Sequence, residues 1–166
     1  MQYIELTQGY VAAVDSADYE RVSAHKWYAS VRSRADGSVR VYAMRHVLRE
    51  GGGRTAQMLH RFVTDTPMGM YIDHINGNGL DNRRANLRIC TCSENLRNQR
   101  PKTGGSSAYK GVCWRKDRGK WVAGIKLNGE REHLGYFDSE QDAVKAYDRA
   151  ALSAYGEYAR TNGLGG

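Results

Sequence analysis

Asp73 and His74 stand side by side, and Asn95 follows in the first turn of the next expected helix. Histidine titrates near neutrality, so it can take a proton from water. A carboxylate and an amide oxygen are hard ligands. With the remaining positions left to water and phosphate, they suit Mg2+ or Mn2+. A deprotonated water and a Lewis acid are what cutting a phosphodiester needs. The same donors fit structural zinc poorly, because no cysteine and histidine set surrounds them. The cysteines, Cys90, Cys92 and Cys113, contain no C-x-x-C pair. Neither a disulfide framework nor a four-cysteine zinc site is expected.

Placing these groups requires a strand over 70–74, a long loop, a strand over 86–90, and a helix. Asn76-Gly77-Asn78-Gly79-Leu80-Asp81-Asn82 has the composition of that loop. Thr91 and Glu94 make a capping box that starts the helix, which is expected to run to about residue 99. Neighbours on a regular strand point to opposite faces. For Asp73 and His74 to serve one site, the chain must bend there.

The run Ile72-Asp73-His74-Ile75-Asn76-Gly77-Asn78, continuing through Leu80-Asp81-Asn82-Arg83-Arg84-Ala85-Asn86-Leu87-Arg88 to Ser93-Glu94-Asn95-Leu96-Arg97-Asn98, resembles the phage-type HNH homing endonucleases. The resemblance covers about residues 58–100. It implies a ββα-metal fold around one ion per chain, with His74 as general base and Asp73 and Asn95 as metal ligands. Asn86 is the middle letter of the motif and would pin the long loop. Asn95 stands where many relatives have histidine, a change the phage-type branch shares. His60, in a Leu-His-Arg context that recurs in these nucleases, would touch the scissile phosphate, assist the base, or tie its short helix to the sheet. Arg83, Arg84, Arg88 and Arg97 are candidates to hold DNA phosphates, against the alternative of solvated surface arginines. The implied products are a 5′-phosphate and a 3′-hydroxyl.

The charge is unevenly spread. The chain has 166 residues and a formal net charge of +7. Between residues 97 and 126 the basic side chains meet only Asp117, and Tyr109, Trp114 and Trp121 are threaded among them. That pattern points to a polyanion. Beyond a flexible linker at 101–107, the chain alternates as strands over 109–115, 120–127 and 130–137, with Asn128-Gly129 as a hairpin turn. Ser139 then caps a helix that closes at Gly156, whose apolar face is rich in alanine.

Tyr109-Lys110-Gly111-Val112, Gly119-Lys120-Trp121-Val122-Ala123-Gly124-Ile125, Leu134-Gly135-Tyr136-Phe137 and the helix sequence from Ala143 to Ala151 resemble the plant APETALA/ethylene-response-factor DNA-binding domain. The resemblance implies a sheet that lies in the major groove. Strand alternation turns Val112, Trp121, Ala123 and Ile125 to the helix, and Lys110, Arg115, Lys120, Lys126, Arg131 and His133 to DNA. Trp114 is expected to pack rather than stack on bases. Cys113 and His133 replace an arginine and a tryptophan of the plant relatives, so the target site cannot be carried over.

The expected class is α+β. A small antiparallel N-terminal sheet (1–57), with a turn at Asp36-Gly37 and a glycine loop at 51–53, leads into the ββα-metal motif (58–100). The linker (101–107) then joins a three-stranded antiparallel sheet packed on one helix (108–166). The expected function is a sequence-recognising, metal-dependent DNA endonuclease acting on double-stranded DNA as a monomer or a DNA-induced dimer, with no protein partner implied. The alternative is a non-catalytic DNA-binding regulator with a vestigial motif; a single-strand RNA binder is a third class. A mean hydropathy of −0.68, the absence of a long apolar run and the lack of a secretory pattern at the N-terminus lead to the expectation of an intracellular protein of a bacterial host, phage- or mobile-element-encoded. The N-terminal sheet serves either as a further DNA contact or as scaffold.

Overall fold

The computed structural model describes residues 1–33, 37–98, 104–127 and 129–163. The chain divides into two compact units, Met1–Cys92 and Ser93–Gly166. Among the described residues it is a mixed α and β structure of small antiparallel sheets and four α-helices.

In the first unit, β1 (Gln2–Glu5) and β2 (Val11–Val14) form an antiparallel hairpin whose alternation turns Ile4, Ala12 and Val14 inward. α1 (Ser16–Ser23) follows. Asp15 occupies its N-cap, but the carboxylate accepts the Arg84 backbone N–H at 2.8 Å instead of capping. β3 (Tyr28–Ser33), β4 (Val39–Leu48) and β5 (Arg54–Met58) make a second sheet in that order. The expected single N-terminal sheet is therefore two sheets. β5 was unexpected because Arg-Thr-Ala-Gln-Met lacks an apolar alternation; it is held by pairing with β4 across a turn in which Gly51, Gly52 and Gly53 all have positive φ. Asp36, half of the expected turn signal before β4, lies outside the described residues.

α2 (Leu59–Thr64) buries Leu59, His60 and Val63. β6 (Tyr71–His74) pairs antiparallel with β7 (Leu87–Cys90), so that Asp73 faces Arg88 and His74 faces Leu87. Leu59, Val63, Ile72 and Leu87 share one core with Val14, Val22, Trp27 and Ala43. The loop between β6 and β7 is fastened to β2: Ala13 N–H donates to the Leu80 carbonyl and Asn82 N–H to the Ala13 carbonyl, both at 2.8 Å.

α3 (Cys92–Arg97) carries the chain into the second unit. Residue 99, where this helix was expected to end, and linker residues 101–103 lie outside the described residues. β8 (Val112–Arg115), β9 (Lys120–Leu127) and β10 (Glu130–Phe137) form an antiparallel sheet ordered β10-β9-β8. Asn128, half of the turn signal between β9 and β10, is outside the described residues. α4 (Glu140–Tyr155) packs on this sheet; Ser139 caps it by accepting the Gln141 N–H at 3.2 Å, and Gly156 closes it. Ala143, Val144, Tyr147 and Ala151 meet Val112, Ala123 and Ile125 in the core.

β8 begins three residues later than expected for a steric reason. Gly111 has φ +77, and a Cβ there would lie 2.0 Å from the Tyr147 ring. The chain turns at this glycine before it can join the sheet. Buried Asp148 accepts the backbone N–H of Asn162 at 2.8 Å, and Asn162 clasps the Lys110 backbone, which ties the C-terminal segment to the start of the sheet.

Candidate active site and nucleic-acid face

Every side chain in the segment 72–74 is buried. Asp73 Oδ2 accepts Arg88 Nε at 3.0 Å and Arg88 Nη2 at 2.6 Å, and both side chains are about nine-tenths covered. The bond follows from register, because opposed residues on an antiparallel pair share a face.

His74 turns instead toward α2 and β4. Its ring centroid is 5.0 Å from that of His60, edge to face, and Tyr42 lies 6.0 Å from each. The strand ends here: Gly77 N–H donates to the His74 carbonyl at 2.8 Å, so the chain bends immediately after His74. The bend expected between Asp73 and His74 thus falls one position later. The two side chains meet different neighbours, although the Asp73 charge still acts on the imidazole.

Burial pushes the His74 pKa below its ordinary value; Asn82, Asp73 and Asp81 oppose this. His60 is pushed down to about 3, by burial first and then by His74 and Arg61. Both rings are therefore neutral at pH 7, which leaves His74 in the form that accepts a proton.

The loop is built to hold this shape. Asn86 Oδ1 accepts the Asn76 N–H at 3.0 Å, and its Nδ2 donates to the Asp81 carbonyl at 2.8 Å. Asp81 in turn accepts Asn76 Nδ2 at 2.9 Å. Gly79 lies under Tyr42: a Cβ would sit 2.6 Å from the Tyr42 ring and 2.5 Å from the Val41 carbonyl. Only glycine fits there. Tyr42 therefore contacts both histidines and the loop, a role that no local sequence signal revealed.

Depressed histidines make the fold acid-sensitive. An unfolded histidine takes up a proton near pH 6.5, whereas folded His60 resists until about 3. The unfolded state thus binds more protons between these values, and stability falls as pH falls. The expected slope is about 1.4 kcal/mol per pH unit for each such histidine. Thermal melts between pH 7.5 and 4.5 should show a falling Tm, flattened in His60→Gln; a Tm independent of pH in this window would contradict the burial argument.

The arginines named as phosphate contacts divide. Arg83 binds Asp81 at 2.7 Å, and Arg84 binds both oxygens of Asp18 at 2.8 Å and the Val63 carbonyl. These two are internal braces, and each holds its carboxylate below the usual range. Arg88 is engaged by Asp73. Arg97, in the second unit, lies 4.6 Å over the Tyr155 ring. Asn95 sits half-buried on α3, also in the second unit.

On the second sheet, Val112, Trp121, Ala123 and Ile125 do turn to α4. Trp114 packs edge to face on Trp121 at 5.1 Å. The opposite face carries Arg115, Lys120, Lys126, Arg131 and His133, in the register Arg115↔Lys120, Lys126↔Arg131 and His133↔Gly124. Arg115 pairs with Asp117, and Lys120 with Asp138. Lys110 precedes β8 and bonds the Arg97 carbonyl; burial, then Arg160, pushes its pKa down to about 8. It is not one of the residues that alternation turns outward.

Among the described residues, no group of three or more His, Cys, Asp or Glu side chains is disposed to hold a metal ion. An ion at Asp73 would draw on one carboxylate, with further oxygens from an amide, water and phosphate. Such an oxygen set fits a hard divalent cation. No helix is long and apolar enough to cross a membrane.

Residues 60–97 match the family model for an HNH endonuclease, and residues 107–157 match the AP2 domain. Protein 3.8 of Escherichia phage T7 is 32% identical over 94 residues, covering 57% of this chain and 77% of that protein. An HNH endonuclease of Acanthamoeba polyphaga mimivirus is 32% identical over 111 residues, 63% of this chain and 56% of the viral protein. A dehydration-responsive element-binding protein of Arabidopsis thaliana is 47% identical over 60 residues, 35% of this chain but only 17% of the plant protein. The chain belongs to the family of phage protein 3.8, and it carries an HNH endonuclease segment at 60–97 followed by an AP2 domain at 107–157.

Proposed function

We propose that the protein is a sequence-recognising DNA endonuclease that hydrolyses a phosphodiester with one divalent ion and His74 as general base. The observation that carries this reading is a neutral, buried His74 that the Asp73 charge still reaches, inside the segment that matches the HNH endonucleases. His74 takes a proton from water as the water oxygen attacks phosphorus. The bond from phosphorus to the 3′ oxygen breaks, the departing oxygen takes a proton from solvent water, and a 5′-phosphate and a 3′-hydroxyl are left. By resemblance to the HNH motif, Asp73 and Asn95 would be the oxygen ligands for Mg2+ or Mn2+. When bound, the ion supplies Lewis-acid stabilisation of the charge on phosphate and departing oxygen. Asn86 keeps the loop in register, and Tyr42 and His60 wall the imidazole.

The domains we assign are the nuclease at 1–100, a linker at 101–107 and a reading domain at 108–166. In the reading domain, Arg131 and His133 are the candidates for base contacts; Lys126, Arg115 and Lys120 grip phosphate, the last two after release from Asp117 and Asp138. Arginine reads guanine edges by paired hydrogen bonds. The protein acts inside the cell, on double-stranded DNA.

Incubation of supercoiled plasmid carrying host or phage sequence, with Mg2+ and with chelator, comparing wild type and His74→Ala, tests this directly. Cutting by the wild type that stops with chelator and collapses in the variant is expected. No cutting on any duplex substrate would favour a DNA-binding regulator instead.

A further inference from the structure

We infer that the outer face of the β3-β4-β5 sheet is a second duplex-DNA contact, a phosphate-gripping strip that runs from Tyr42 out along Arg40 and Arg32. The inference rests on the nuclease reading, which it extends from the cleavage chemistry to the path of the substrate.

Strand parity sets the two faces of this sheet. Ala29, Val41 and Ala43 point into the core, and Arg45 lies on the same side, over Trp27 and Phe62. The opposite face carries, at two-residue steps, Arg40, Tyr42, Met44 and His46; Met44 is buried there, while Arg40 is half-buried and Arg32, across from it, is exposed. Register places Ser30 opposite Tyr42 and Arg32 directly opposite Arg40. Tyr42 is the residue that touches His60 and His74. The strip therefore begins at the candidate site, with Arg40 about 7 Å further along the strand. That step is on the scale of the spacing between neighbouring phosphates of one DNA strand.

The charge pattern is the second observation. Like charges directly opposed across two strands destabilise a sheet. Among the described residues neither Arg32 nor Arg40 has an acidic partner. Arg83 and Arg84, in the same unit, are each braced by a carboxylate. Between residues 26 and 58 the described basic side chains are Lys26, Arg32, Arg40, Arg45, Arg49 and Arg54, against Glu50 alone. Among the described residues the opposed arginine pair meets no counter-charge to offset its repulsion, and we assign its complement to an external polyanion. Duplex DNA leading to the cut bond is the occupant that charge and continuity with the site together select.

The full-length protein tests this. Affinity for a duplex carrying the cleavage site is measured by fluorescence anisotropy over a salt series, without divalent ion. For Arg32→Gln/Arg40→Gln, affinity should fall about tenfold at moderate salt, and the slope of log affinity against log salt should become shallower by about 2, because each lost phosphate contact removes about 0.9. With Mg2+, KM should rise while kcat at saturating DNA stays at the wild-type value. Arg40→Glu separates binding from folding: a carboxylate opposite Arg32 should leave Tm unchanged or higher while binding weakens further. Wild-type affinity and salt slope in both variants would overturn the inference, as would a lower Tm for Arg40→Glu. If the wild type cut no DNA but the slope still fell, the surface would stand and the nuclease reading would fall. If cutting were normal and the slope unaltered, the reverse would hold.

Discussion

Replacement of His74 by alanine should lower the rate of DNA cutting at saturating Mg2+ by about 10²–10⁴-fold, the usual contribution of a positioned general base. Duplex affinity should stay near the wild-type value, because a buried, neutral imidazole adds no charge to the DNA-binding faces. His74→Gln fills a similar volume and can hydrogen-bond, but it does not take a proton, so it should lose activity nearly as fully while keeping the wild-type melt. The pair therefore separates loss of a base from loss of packing. Undiminished cutting by either variant would remove His74 from the chemistry.

Asp73→Ala should be damaging twice over. It removes an oxygen ligand, and it strands the Arg88 guanidinium, which is only 10% exposed. Taking one partner from a buried ion pair costs about 3–5 kcal/mol, since the remaining buried charge loses its paired carboxylate. For a unit of this size that is a fall in Tm on the order of 15–20 °C. Asp73→Asn keeps an acceptor oxygen and should cost less. The double variant Asp73→Ala/Arg88→Leu should recover much of the Tm because no buried charge is left, yet it should remain inactive. If Asp73→Ala melted like the wild type, the Asp73–Arg88 pair would not be the brace that its geometry describes.

This pair also marks where sequence reasoning reached and where it stopped. Arg88 reads as a phosphate contact when residues are scanned by charge. Pairing strands over 70–74 and 86–90 end to end would set Asp73 opposite Leu87; the structure shifts the register by one residue and sets Arg88 there, so the ion pair could not be derived from the strand bounds. Arg84 was not derivable: its partner Asp18 sits on α1, brought close only by the tertiary fold. Tyr42 was hidden for the same reason, since β4 approaches the histidines from far away in the chain. The β8-β9-β10 sheet and α4 were legible because alternation, a glycine-bearing turn and the Ser139 cap all act locally. β5 was not, because only its neighbour holds it in strand form. Lys110 was placed on a strand by alternation alone, which ignored the turn that Gly111 makes against Tyr147.

The central claim is that a single divalent ion, held by Asp73 and Asn95, works beside His74. Binding of Mn2+ to the full-length protein, with a duplex present and read by electron paramagnetic resonance, tests it without relying on turnover. The account predicts one ion per chain, affinity weakened at least tenfold in Asp73→Asn and in Asn95→Ala, and affinity retained in His74→Ala. Wild-type Mn2+ binding in both ligand variants, or no stoichiometric binding by the wild type, would contradict it.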